Sequence, residues 1–114
     1  MNTTLYILHN PFNDPAISDK SFFCWTCVLM EGLLAKFPDE LAGLDVQRLA
    51  FPRPRDVMIE LVGSNNQSLP TLVLGEGVLV GRETGTYSDT RFIKGKDEIL
   101  NALTDIYDIP RVHP

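Results

Sequence analysis

The stretch Phe22-Phe23-Cys24-Trp25-Thr26-Cys27 contains both cysteines of the chain. They are three residues apart, and residues three apart in a helix are neighbours, with about 5–6 Å between their Cβ atoms. A disulfide can close across such a separation. A Cys-x-x-Cys pair at the junction of a strand and a helix is typical of a redox-active dithiol. The stretch therefore predicts thiol–disulfide chemistry and leaves the substrate open.

The composition is that of one ordinary globular domain. The chain has 114 residues, of which 44% are hydrophobic and 22% charged. Residues 1–114 are therefore expected to form a single domain with its own core. Two cysteines are too few for the disulfide framework of a small secreted scaffold. The net charge of −5 argues against a nucleic-acid partner, which would select a basic surface.

The apolar stretches also bear on localisation. Residues 1–8 have no basic region, and their apolar run is too short for a signal peptide. No apolar run approaches the roughly 18 residues that a membrane span needs, so we expect no membrane partner. The expected location is a reducing cytoplasm, where the two cysteines start as a dithiol.

Apolar periodicity, prolines and glycines predict the element order βαβαββα. Strands are predicted over residues 4–8, 44–51, 71–74 and 78–80, and helices over 24–37, 54–62 and 97–107. Residues 81–90 are expected to be an exposed insertion, and residues 91–93 to extend the edge of the sheet. This order predicts an α/β fold with a mixed four-stranded sheet and helices on both faces.

The first predicted helix carries a broad apolar arc. At about 100° per residue, one side of the helix gathers most of its large side chains, namely Trp25, Cys27, Leu29, Met30, Leu33, Leu34 and Phe37. Cys24 lies on the opposite side, in the first turn. Cys27 is therefore expected to be shielded by the core and Cys24 to be open to solvent. That asymmetry suits a resolving thiol and an attacking thiol.

Ser68-Leu69-Pro70 immediately precedes the third predicted strand. A proline at the first residue of a strand loses no ladder hydrogen bond, so its position has an ordinary structural explanation. Together with the cysteine pair and the element order, however, it resembles the thioredoxin-like superfamily. The resemblance implies that Leu69–Pro70 is a cis peptide bond facing the cysteines. It also implies that the backbone of Leu69 binds an extended peptide or glutathione.

Other runs look like those of a small bacterial family that is thioredoxin-like and is labelled a domain of unknown function. They are Phe22-Phe23 before Cys24, Glu31-Gly32-Leu33-Leu34, Phe51-Pro52-Arg53-Pro54, Phe92-Ile93 with Gly95, and Ile109-Pro110-Arg111 with His113-Pro114. Among characterised proteins, glutaredoxins and the N-terminal domains of glutathione transferases are similar in shape. Gly95 and Asp97 loosely match the Gly-Asp segment of the glutaredoxin glutathione site. Trp25-Thr26 differs from the Gly-Pro of thioredoxins and the Pro-Tyr of glutaredoxins, which leaves the redox potential open.

The sequence thus predicts a thiol–disulfide oxidoreductase. Cys24 is the expected nucleophile, because unpaired N–H groups and the positive end of the helix dipole favour a thiolate in the first turn. Cys27 is expected to release the substrate by attacking the mixed disulfide. The substrate is expected to be a disulfide-containing protein or glutathione. Its expected binding residues are Trp25, Thr26, Leu69, Pro70, Gly95 and Asp97.

Three other interpretations stay open. Both cysteines could simply be small core residues. The chain could also be a binding module whose groove at Leu69-Pro70 recognises a partner or glutathione without turnover. Two thiolates supply half of a tetrahedral zinc site. However, His9 and His113 lack metal-binding spacing, so a dimer or a glutathione-held iron–sulfur cluster would have to complete it. We therefore expect no metal, and glutathione is the one candidate ligand.

Overall fold

The computed structural model describes residues 2–78 and 81–114. These residues form a mixed α/β fold with seven strands and three helices. None of those helices is long and apolar enough to cross a membrane. The elements are β1 (Thr4–Leu8), β2 (Phe12–Asn13), β3 (Ser21–Phe22), α1 (Trp25–Lys36), β4 (Asp45–Leu49), α2 (Asp56–Val62), β5 (Thr71–Val73), β6 (Gly85–Tyr87), β7 (Thr90–Lys94) and α3 (Lys96–Tyr107).

Five of the strands form one mixed sheet in the order β4-β1-β5-β7-β6. β1 and β4 are parallel, with Leu5 opposite Val46, and the other neighbouring pairs are antiparallel. Parallel strands need a long crossover, which α1 supplies here. β1 lies between β4 and β5, and all five of its residues are buried. This agrees with the apolar run that predicts a strand covered on both faces.

The helices pack on both faces of this sheet. Side chains alternate between the faces of a strand, so Leu5 of β1 joins the core under α1 and α3, whereas Tyr6 joins the core under α2. Cys27 and Met30 are the buried residues of α1, and Met58 of α2 is fully buried on the other face. The core between the sheet and helices α1 and α3 is the larger of the two, and it contains Cys27.

The strand that pairs with β5 differs from the sequence-based expectation. The sequence predicts residues 78–80 as its hairpin partner, but Leu79 and Val80 lie outside the described residues and Val78 belongs to no strand. β5 pairs with β7 instead, with Val73 opposite Phe92. Residues 91–93 are therefore inside the sheet and not at its edge. The physical reason is that β7 supplies buried side chains to both cores.

Residues 81–90 contribute a fifth strand, so the prediction of a four-stranded sheet is wrong. β6 pairs with β7 through a turn in which Ser88 and Asp89 have φ angles of 45° and 69°, values that two-residue hairpins favour. At Gly85 a Cβ atom would lie 2.5 Å from Cζ of Phe92, so glycine makes room for this buried ring. The other two residues of β6 are exposed, and the segment therefore lacks the apolar pattern of a strand.

The chain between β1 and α1 folds back through β2 and β3, which form a separate two-stranded antiparallel sheet. Phe12 of β2 stacks on Phe51, with ring centroids 4.5 Å apart. This stacking holds the loop against the segment that follows β4. The loop then delivers the chain to the start of α1, close to the carboxyl end of β1. Open α/β sheets place their sites at this edge.

Candidate functional site

Cys24 is the N-cap residue of α1. Its backbone is extended, with φ −84° and ψ 112°, and its sulfur accepts a hydrogen bond from the N–H of Cys27 at 3.4 Å. The first N–H groups of a helix have no partner within the helix, and here a sulfur takes the place of the usual capping oxygen. The thiol therefore faces the positive end of the helix, which favours its ionised form.

Asn10 anchors the cysteine loop to the end of β1. Its Oδ1 accepts a hydrogen bond from the N–H of Cys24 at 2.8 Å, and its Nδ2 donates to the carbonyl of Leu8 at 3.0 Å. One side chain thus fixes the N-cap backbone relative to the sheet. Sequence reasoning missed Asn10 because it assigned the turn-rich segment after β1 no specific contacts.

Cys27 lies in the interior, as predicted. It is fully buried, and its sulfur accepts a hydrogen bond from the N–H of Leu8 at 3.4 Å. Cys24 is half-buried, which makes it less open than the helical arc predicts. Both are free thiols in the structure. The motif thus contains one partly accessible sulfur, that of Cys24, and one sulfur that solvent does not reach, that of Cys27.

The two thiols have pKa values that move in opposite directions. Partial burial opposes ionisation of Cys24. However, the Thr26 hydroxyl at 3.2 Å, the N–H groups of Cys27 and Thr26, and the Cys27 thiol hold the pKa of Cys24 below its ordinary value. Burial raises the pKa of Cys27 to about 12, against the hydrogen bond from Leu8. Separated pKa values are typical of a pair with an attacking and a resolving thiol.

An exposed aromatic surface flanks Cys24. Phe23 and Trp25, on either side of it in sequence, are 65% and 64% exposed. The apolar arc predicts Trp25 in the core, and this is wrong because Trp25 is the first residue of α1 and belongs to neither core cluster. Nζ of Lys96 lies 5.1 Å from the centroid of its ring. Exposed rings beside a reactive group are typical of binding surfaces.

Arg55 is a buried cation whose charge acts on the Cys27 thiol, and sequence reasoning did not select it. Its side chain donates to the carbonyl of Gln67 at 2.7 Å and to that of Phe51 at 2.6 Å. Burial lowers the pKa of Arg55, the charge of Arg53 acts in the same direction, and negative charge on Cys27 or Cys24 would raise it. The only signal in the sequence is its place after two prolines, which does not indicate burial.

Leu69 and Pro70 lie next to the same core. The Leu69–Pro70 peptide bond is cis, as the resemblance implies, and two other X-Pro bonds, Asn10–Pro11 and Arg53–Pro54, are also cis. Pro70 is buried immediately before β5. Leu69 is half-buried and packs, like Cys24, against the core cluster that contains Cys27. Leu69 and Cys24 therefore border the same core cluster.

Gly95 and Asp97 lie at the start of α3. Gly95 is the N-cap residue with a φ of 94°, a conformation that favours glycine. Asp97 is exposed and pairs with Lys96 at 3.4 Å. The contact from α3 to the cysteine motif is made by Lys96 through the Trp25 ring. A cavity of about 350 Å³ between α1 and α3 is lined by Leu29, Leu33, Lys96, Asp97, Leu100, Asn101 and Val112.

The described residues also bear on metal binding. Within residues 2–78 and 81–114, no three His, Cys, Asp or Glu side chains cluster as metal ligands would. His9 and His113 are both exposed.

The chain matches the model of a known protein family. The model of a family described as "Protein of unknown function (DUF3088)" matches residues 2–111. No curated protein and no solved structure matches the chain.

Proposed function

The chain belongs to the DUF3088 family of proteins of unknown function, and from the geometry of its cysteine pair we propose that it is a thiol–disulfide oxidoreductase. The observation that carries the proposal is the contrast between the two sulfurs. Cys24 is half-buried at the N-cap with a lowered pKa, whereas Cys27 is fully buried with a pKa of about 12. Two cysteines that served only as core residues would not be expected to differ in this way in burial and in pKa.

The proposed reaction has two exchange steps. The Cys24 thiolate attacks one sulfur of a substrate disulfide, forms a mixed disulfide with it and releases the other sulfur as a thiolate. Cys27 then loses its proton and attacks the Cys24 sulfur, so the Cys24–Cys27 disulfide forms and the second substrate sulfur leaves and takes up a proton. Two electrons pass from the dithiol to the substrate. Two molecules of a cellular thiol, such as glutathione, return the protein to the dithiol and are themselves oxidised to a disulfide.

The proposal includes a thioredoxin-like fold, which the strand order supports. Without the added edge strand β6, the sheet reads β4-β1-β5-β7, with one parallel pair and two antiparallel pairs. Leu69 and Pro70 precede β5, where the resemblance places the segment that binds an extended substrate. We propose that the backbone of Leu69 holds the substrate and that Phe23 and Trp25 contact its apolar part. A cytoplasmic location is part of the same proposal.

The test traps the first intermediate. In Cys27→Ser, the second step cannot occur, so a disulfide substrate should remain attached to Cys24. We expect oxidised glutathione, or a protein disulfide from a cytoplasmic extract, to add to Cys24 in this variant as seen by mass spectrometry. The matched control is Cys24→Ser, in which the buried Cys27 should not react. Equal labelling of the two variants would contradict the proposed roles.

A binding module is the second candidate, and the exposed pair Phe23 and Trp25 favours it. Such a module would hold a partner beside Cys24 without exchange. The double variant Cys24→Ser, Cys27→Ser separates the candidates. Undiminished binding of a partner from the extract by this variant, with no mixed disulfide formed by Cys27→Ser, would favour the module.

A further inference from the structure

Arg55 is a buried cation without a carboxylate partner among residues 2–78 and 81–114. It is only 8% exposed. Two of its nitrogens donate to carbonyl oxygens, but Nε is buried and has no hydrogen-bond partner among the described atoms. Burial of an uncompensated charge costs several kcal/mol in general. Such costly groups cluster at functional sites.

Arg55 and Cys27 lie at the same end of the same strand pair. Leu8 is opposite Leu49 in the parallel ladder, and the N–H of Leu8 donates to the Cys27 sulfur. Phe51, two residues after Leu49, gives Arg55 an acceptor carbonyl, and its ring lies 5.8 Å from the guanidinium carbon. Phe51 also packs against the core cluster that contains Cys27. Phe51 therefore links the buried cation to the core that contains the buried thiol, and each group shifts the pKa of the other.

The second exchange step requires the Cys27 thiolate, which a positive charge in its surroundings would favour. With a pKa of about 12, roughly one Cys27 in 10⁵ is ionised at neutral pH. The charged groups that act on the pKa of Cys27 are Cys24 and Arg55, and the charge of Arg53 acts on the pKa of Arg55. Once Cys24 is in a mixed disulfide it carries no charge. The N–H of Leu8 and the charge of Arg55 then remain as the groups that favour the Cys27 thiolate.

We infer that Arg55 is a positioning residue for the second step of the exchange, in which its guanidinium favours the Cys27 thiolate that attacks Cys24. The inference rests on the proposed function. In this step the Cys27–Cys24 sulfur bond forms and the bond from Cys24 to the substrate sulfur breaks. The proton of Cys27 goes to solvent and then to the departing substrate sulfur. Arg55 keeps its own proton throughout, since an arginine does not deprotonate in proteins.

The test first measures Cys27 without any substrate. In Cys24→Ser, ionisation of Cys27 is followed against pH by the thiolate absorbance near 240 nm, because no reagent has to reach the buried sulfur. Arg55 is intact or replaced by lysine or methionine, and the double variant Cys24→Ser, Cys27→Ser gives the blank. Arg55→Met should lower the thiolate fraction of Cys27 severalfold at a fixed pH, because it removes a positive charge that favours the thiolate. Arg55→Lys, which keeps the charge, should stay within about threefold of the parent. Arg53→Met removes an exposed neighbouring charge and serves as the matched control, with no loss expected.

A second readout follows the step itself. The protein with both cysteines is mixed rapidly with oxidised glutathione at a series of pH values and quenched with acid at graded times, and the release of glutathione from Cys24 is timed by mass spectrometry. Arg55→Met should slow release about tenfold and move the pH profile upward, whereas Arg55→Lys should restore both. A purely structural Arg55 would lower stability without moving the profile. If Arg55→Met does not fold, Arg55→Gln takes its place, because glutamine keeps a donor for the Phe51 carbonyl.

The outcomes separate the two proposals. Equal Cys27 ionisation in the arginine, lysine and methionine proteins overturns the inference and leaves the proposed function standing. If the wild-type protein forms no mixed disulfide with any substrate, the proposed function is overturned, and the role of Arg55 in the exchange is overturned with it. The substrate-free titration distinguishes these cases because it requires no exchange.

Discussion

Replacement of Thr26 by valine is expected to remove the hydrogen bond that favours the Cys24 thiolate. The Thr26 hydroxyl lies 3.2 Å from the Cys24 sulfur and lowers the pKa of Cys24, while valine keeps the shape and removes the donor. A hydrogen bond to a charged group contributes about 1.5–3 kcal/mol. Solvent at the half-exposed sulfur reduces this to about 1 kcal/mol. That free energy lowers the thiolate fraction about fivefold at a pH below the pKa of Cys24.

The assay is the rate of alkylation of Cys24 by iodoacetamide as a function of pH, with the modified residue identified by mass spectrometry. Cys27, with a pKa of about 12, should not react in the neutral range. Thr26→Ser keeps a hydroxyl in the same position and is the matched control, so its profile should follow the wild type. If Thr26→Val follows the wild type as well, the hydrogen bond does not tune Cys24 and the reasoning is refuted.

Three further predictions concern stability, measured by urea unfolding of the reduced protein. The folded-state pKa of Cys27 is about 12 against an ordinary 9.0, so the folded protein holds this proton more tightly. Stability should then fall as pH rises above 9, by about 1.4 kcal/mol at pH 10, and Cys27→Ala should lack this component. Asn10→Ala removes the oxygen that accepts the 2.8 Å hydrogen bond from the N–H of Cys24, and it should lower the free energy of unfolding by about 1–2 kcal/mol. An unchanged urea midpoint would refute the role of Asn10 in anchoring the cysteine loop. Gly85→Ala forces a Cβ to 2.5 Å from the Phe92 ring and should cost about 1–3 kcal/mol. At Gly32 an added Cβ would meet nothing within 4 Å outside its own stretch of helix, so Gly32→Ala should raise the free energy of unfolding by about 0.5–1 kcal/mol. Equal effects of Gly85→Ala and Gly32→Ala would contradict the close packing at Gly85.

The elements with strong local patterns could be predicted from the sequence. β1 is a short apolar run, and it lies buried at the middle of the sheet. α3 has apolar residues at helical spacing and acidic residues in its first turn, and it forms where predicted. The shielding of Cys27 follows from the same periodicity. In each case the local pattern and the tertiary packing select the same structure.

The second half of the sheet could not be predicted, because its pairing depends on distant residues. Residues 78–80 have the better local strand pattern, yet β7 is the strand that pairs with β5. β7 can supply one buried side chain to each core, Phe92 and Ile93. The edge strand β6 is polar, and its glycine is selected by a ring seven residues later. Neither the pairing of β7 with β5 nor the need for glycine in β6 can be predicted from local strand propensity.

The candidate site shows the same division. The two cysteines and the segment Leu69-Pro70 could be selected from sequence, since they carry a motif. Arg55 and Asn10 could not, because their roles come from contacts with residues distant in the chain, such as Gln67 for Arg55 and Cys24 for Asn10. A charged residue after two prolines has the pattern of a solvated turn, and only the folded chain buries it.

The most direct test of the redox proposal is an equilibrium between the protein and glutathione buffers of graded oxidation, stopped by acid and read by mass spectrometry of the peptide that contains both cysteines. We expect a reversible loss of two hydrogens from that peptide, which marks a Cys24–Cys27 disulfide, with glutathione attached only transiently to Cys24. The contradicting result is a peptide that stays in the dithiol form across the whole series, or one that keeps glutathione on Cys24 without ever forming the internal disulfide.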